Sequence, residues 1–181
     1  MARLRIRGMT LVELLATVTV MAILAALIVP SLSFNDSTKL AVAAQQVGNA
    51  LRFARSEAMR TGQSVLVDAE TTPGRLLLLL RGCVSAVSPA VLDPQTRRAY
   101  DVDVADGAFS GGVALVPNFL VGGTAWAGLE FDNRGTASQA CSIASQTPRG
   151  TPEAGSSINL VYGGNSATIQ IDPPTGRVTG F

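Results

Sequence analysis

The chain has 181 residues, carries 14 Lys and Arg against 13 Asp and Glu, and contains no histidine. The near-neutral balance gives no global footprint for nucleic acid, and the missing histidine excludes Ser-His and Cys-His nucleophilic pairs and His-ligated metals. The sole lysine, Lys39, leads a helical stripe rather than a Ser-Lys dyad, so no enzyme activity, cofactor or metal is expected.

The first element is Gly8 to Pro30, behind a short leader with Arg3, Arg5 and Arg7. It is apolar for about twenty residues, the length an α-helix needs to cross a bilayer core. Its one charge is Glu13, and a carboxylate at that depth is costly and usually functional. Cleavage between Gly8 and Met9 would give Met9 a free ammonium, with Glu13 one helical turn on along the same face. The leader arginines set the N-terminus in the cytoplasm. Ser31-Leu32-Ser33 has the form of a signal peptidase site, but the apolar core exceeds that of a secretory signal, and Glu13 has no place in one. A plain anchor explains the length but not the Gly8/Glu13 spacing.

Pro30 removes a backbone hydrogen bond and loosens the helix. Asn35, Asp36, Ser37 and Thr38 form a polar cluster that caps a new start. Leu40, Ala44, Val47, Leu51, Ala54 and Ala58 then follow at alternating spacings of four and three, a helical stripe that ends at Thr61-Gly62. One long, interrupted helix is predicted. Its membrane half covers residues 9–30 and its amphipathic half residues 31–62, after a leader at 1–8. The remainder, 63–181, reads as one β-rich body, large enough for a single modest core.

Its strands are predicted at Ser64–Asp68, Arg75–Arg81, Tyr100–Val104, Val113–Val116, Leu129–Asp132, Ser157–Tyr162, Ala167–Asp172 and Arg177–Phe181. The five leucines after Pro73-Gly74 suggest a buried strand, and Gly163-Gly164-Asn165-Ser166 signals a hairpin. Val84–Thr96 and Ala137–Gly155 are rich in turn residues and read as loops. Cys83 and Cys141 could form one disulfide in an oxidising compartment or stay two buried thiols, and their spacing does not decide. Asp101, Asp103, Asp106 and Gly107 look faintly like a calcium loop, but no bidentate Glu follows, so a strand face and an Asp-Gly turn are expected.

Gly8, Met9 and the run Thr10-Leu11-Val12-Glu13-Leu14-Leu15 resemble the class III signal of type IV pilins and type II secretion pseudopilins, Met9 standing where Phe is usual. Leu51–Val67, with its Ala54-Arg55-Ser56-Glu57-Ala58 run, resembles the helix and first strand of the GspH/FimT family. Leu129–Gly135 resembles that family's strand and Gly turn, and Thr168–Val178 its last strand with a terminal Gly-Arg. The resemblance implies an α+β, pilin-like fold: a long N-terminal helix, transmembrane then amphipathic, packed on antiparallel β-sheet. It implies prepilin peptidase cleavage and N-methylation at Gly8 and Met9, and filament assembly through Glu13 and Pro30. The partners implied are other pilins or pseudopilins and an inner-membrane assembly platform. The chain would cross the inner membrane once, with a periplasmic body that later joins the filament. The function implied is that of a minor pseudopilin in type II secretion, with a DNA-uptake minor pilin or a lone membrane-anchored binding domain as alternatives. Arg97, Arg98 and Arg177 are candidate DNA or partner contacts. Thr179 replaces the second basic residue of the DNA-binding members, and removing the leader leaves 11 basic against 13 acidic residues. A nucleic-acid partner is therefore disfavoured.

Overall fold

The computed structural model describes residues 10–28, 36–69, 74–80, 82–83 and 89–180. Gly8, Met9 and Pro30, together with Pro73, Arg81 and the 84–88 stretch of the first predicted loop, lie outside the described residues. Residues 1–35 and 36–181 form two separate compact units, described in turn.

In the first unit, α1 spans Leu11–Ile28. Thr10 starts it: the Glu13 backbone N–H donates to Thr10 Oγ1 at 3.3 Å and to its carbonyl at 3.0 Å, the arrangement of an N-cap. Inside the helix, polar side chains turn back on the backbone. Thr17 Oγ1 donates to Leu14 O at 2.9 Å, and Thr19 Oγ1 to Leu15 O at 3.0 Å. Apart from Glu13, Thr17 and Thr19, the side chains of α1 described up to Leu24 leave an apolar surface to the surroundings, with Leu11 80% and Met21 73% exposed. Such a helix calls for cover other than water. Among the described residues, however, no helix is long and apolar enough to cross a membrane. At 18 residues, α1 rises about 27 Å, just short of a hydrocarbon core of about 30 Å. Of the predicted span at 9–30, the described residues show this helix from Leu11 to Ile28.

The second unit begins with α2, Asp36–Thr61. Gly62 follows with φ +69° and donates its N–H to Ala58 O at 3.0 Å, a left-handed C-cap that favours glycine. Beyond the predicted stripe, Ala43, Gly48 and Ala50 are also buried. These small residues widen the apolar arc, so that α2 packs against two sheets at once.

The strands are β1 Val65–Asp68, β2 Arg75–Leu80, β3 Asp101–Asp103, β4 Ala114–Val121, β5 Thr124–Trp126, β6 Gly128–Phe131, β7 Ala137–Ser142, β8 Thr147–Gly150, β9 Ser157–Tyr162, β10 Asn165–Asp172 and β11 Arg177–Thr179. They form two sheets, β3-β2-β1-β6-β7-β8 and β11-β10-β9-β4-β5, in which every paired neighbour is antiparallel. The core lies between them and α2, filled by Val47, Leu51, Val65, Leu76, Leu129, Phe131, Phe119, Ile158 and Ile169. At one corner Arg149 of β8 lies over the Trp126 ring of β5 at 4.3 Å, joining the edges of the two sheets.

Four expectations are corrected. The loop predicted at Ala137–Gly155 contains β7 and β8; β-bulges at Glu130/Phe131 and Ala140/Cys141 break the alternation that would have marked them. β4 runs past Pro117 to Val121. The proline is tolerated because β5 pairs only with Phe119–Val121, so β4 is flanked on one side there. β5 itself has no counterpart among the predicted strands. The leucine strand is buried on one face only: Leu76 and Leu78 face the core, while Leu77, Leu79 and Leu80 are half-buried. A run of one residue type conceals a period of two.

Candidate functional site

The segments singled out in the sequence as family-like lie far apart along the chain and meet at one corner of the body. On α2, Arg55 is aimed at the turn after β6, and its Nε donates to Gly135 O at 3.0 Å. That turn is held by Asp132. Its Oδ1 accepts the backbone N–H groups of Arg134 and Thr136, each at 2.9 Å, and Gly135 takes φ +77°. Burial would raise the Asp132 pKa, but hydrogen bonds from the Thr136 backbone and hydroxyl and the Arg134 backbone, with the Arg134 charge, outweigh it and hold the carboxyl below its ordinary value. From the other side comes Gly176, at φ +62°. A Cβ there would stand 1.8 Å from Gly135 O, so only glycine allows the two backbones so close.

An open groove of about 500 Å³ lies beside this contact, lined by Arg52, Arg55, Ser56 and Met59 of α2 and by Gly176 to Gly180. Three of its residues are arginines: Arg52, Arg55 and Arg177. A next-turn pair on α2 is internally satisfied: Arg60 donates to both oxygens of Glu57, at 2.8 and 2.6 Å. Guanidinium groups of this kind are the chemistry that recognises phosphate or carboxylate.

Of the residues chosen from sequence, Arg177 enters this groove, whereas Arg97 and Arg98 lie in the turn from Asp93 to Arg98 and do not line it. The residues that join Arg177 are Arg52 and Arg55, which the sequence places merely on the polar side of the helix. Their signal is the i, i+3 spacing of two arginines on the exposed side of the stripe. Glu13 sits in the first turn of α1, beside N–H donors that favour a carboxylate. Cys83 and Cys141 are disulfide-bonded, with Cα atoms 5.7 Å apart, which fixes the segment after β2 onto β7. Asp101 pairs with Arg75, and Asp103 Oδ1 accepts from Ala105 and Asp106 at 3.0 and 2.9 Å. The calcium-like run is thus a strand edge and a side-chain-closed turn.

With this geometry in view, comparison with known proteins gives one family match. Residues 3–29 match the prokaryotic N-terminal methylation motif. No curated protein matches the sequence significantly. Among solved structures, two crystal forms of the type IV minor pilin FimU from Pseudomonas aeruginosa are similar, each 18% identical over 78% of this chain. They are covered to 92% and 87%, with TM-scores of 0.48 and 0.49. The chain therefore carries an N-terminal methylation motif, followed by a body in which a helix packs on antiparallel sheets.

Proposed function

We propose that the chain is a minor pseudopilin of the GspH/FimT type, a non-enzymatic subunit of a type II secretion pseudopilus. The observation that carries this reading is the methylation motif at residues 3–29, with Glu13 as the one charged residue of α1, in its first turn. In this reading the precursor sits in the inner membrane with its N-terminus cytoplasmic and its body periplasmic. The prepilin peptidase cuts between Gly8 and Met9 and the new N-terminus is methylated. The assembly platform then moves the subunit into a filament, where its helix is covered by those of other pilins instead of lipid. Glu13 pairs there with the Met9 ammonium of a neighbour, removing two charges from an apolar setting, and Pro30 lets the helix stretch on extraction. Coexpression with a prepilin peptidase, followed by intact-mass and N-terminal analysis, is expected to give a chain that starts at methylated Met9. A mature end beyond residue 30 would refute the reading.

A second reading, a minor pilin that binds DNA for uptake, is favoured by the convergence of Arg52, Arg55 and Arg177 on one groove. Phosphate contacts by arginine release counterions and weaken steeply with salt. The pseudopilin reading expects no binding of duplex DNA tighter than micromolar in a polarisation titration at about 150 mM salt. Tighter binding that is lost in Arg177→Ala would put the DNA reading first.

A further inference from the structure

The disulfide has a third partner. The sulfurs of Cys83 and Cys141 and a carboxylate oxygen of Glu130 lie within 4.8 Å of one another. They sit on the face of the first sheet away from α2, in a small apolar cluster with Leu66, Leu79 and Ile143. Two β-bulges adjoin them, at Glu130/Phe131 and Ala140/Cys141, and a bulge re-aims the side chain beside it. Two glycines make the room. A Cβ at Gly82 would stand 2.6 Å from Glu130 Oε2, and one at Gly128 would stand 2.9 Å from Cys141 Cβ. Glu130 is only 9% exposed and its Oε2 accepts the Cys83 backbone N–H at 3.0 Å. No described Lys or Arg forms an ion pair with it. A buried carboxylate is costly without a charge partner, and a cystine supplies none.

Two thiolates and a carboxylate are a donor set that suits Zn²⁺, which takes S and O ligands tetrahedrally and leaves a fourth position to water. We propose that the reduced chain, before its disulfide closes, binds one zinc-class cation through Cys83, Cys141 and Glu130. The cation gives Glu130 a charge partner that no described Lys or Arg supplies, and it guards the two thiols until they are oxidised. Closure then proceeds by exchange with a small-molecule disulfide. One thiolate attacks that disulfide and expels a thiolate, and the second attacks the mixed disulfide and expels the other. The protein loses two electrons, the reagent gains them, and the cation leaves with the thiolate charge that held it.

The test uses the full chain in detergent micelles, reduced with a phosphine that is then removed. Co²⁺ is titrated as a spectroscopic probe and displaced with Zn²⁺. One equivalent of Co²⁺ is expected, with a thiolate-to-metal charge-transfer band, affinity lower by about tenfold or more in Glu130→Gln, and no binding to the oxidised chain. Prior Zn²⁺ is expected to slow closure by oxidised glutathione in wild type more than in Glu130→Gln. Because reduction could loosen the body, the Gln variant is the deciding control. Equal affinity and an identical spectrum in wild type and Glu130→Gln would overturn the site, as would binding that survives Cys83→Ser.

Discussion

Asp132 shows how one side chain sets up a surface it does not line. Its carboxylate closes the turn at Gly135, the Gly135 carbonyl receives Arg55, and Arg55 forms one wall of the arginine groove. Because hydrogen bonds hold its pKa below the ordinary value, the carboxylate stabilises the fold above the unfolded aspartate pKa. That contribution is lost as pH falls through the folded value. Asp132→Ala is therefore expected to cost about 1–2 kcal/mol at neutral pH, read by denaturant unfolding. The gap from wild type is expected to close below about pH 4. A gap unchanged between pH 7 and pH 3 would mean that the charge of Asp132 contributes nothing. Thr10 acts similarly: its hydroxyl starts α1 where Glu13 sits, so the Thr-x-x-Glu spacing doubles as a helix-start signal.

Among the elements, α2 carries the body. Leu51 is fully buried at its centre, and Leu51→Ala is expected to destabilise by about 2–5 kcal/mol through lost contacts and a cavity, measured by thermal or denaturant unfolding. A loss under about 1 kcal/mol would mean that the two sheets hold without the helix. This element was legible because its apolar residues recur at helical spacing, and β9 because its hairpin has a Gly-Gly turn. The rest was not, for physical reasons. Alanines and a glycine at 43, 48 and 50 read as neutral in a hydropathy pattern, yet they let α2 meet a second sheet. The strands β7 and β8 are bulged and rich in Ser, Thr and Gly, which describe a loop as well as an edge. The groove was missed because Arg52 and Arg55 are separated from Arg177 by more than a hundred positions and only the Gly135–Gly176 approach unites them. The cysteine pairing was not legible because the two residues are 58 positions apart and only the folded sheet brings their Cα atoms to 5.7 Å.

For the whole molecule, the division at residue 35 separates a unit that needs apolar cover from one that carries its own core. The proposed assembly role separates them too. Glu13→Val is expected to leave insertion and cleavage intact, since removing a charge lowers the cost of the apolar setting. It is expected to reduce incorporation into filaments, because the Met9 ammonium would stay unpaired. Pelleted filaments probed for the variant give the measurement, and wild-type incorporation would sink the pairing account. The position of α2 also bears on how the body responds to force. Traction applied at Asp36 enters α2, which packs against strands of both sheets. Traction from the other end meets β11, a three-residue edge strand, which peels one bond at a time. Forced unfolding follows the unfolding barrier rather than the equilibrium stability. In the proposed assembly role, a pull on the N-terminal segment would enter the body through α2 rather than through this edge strand.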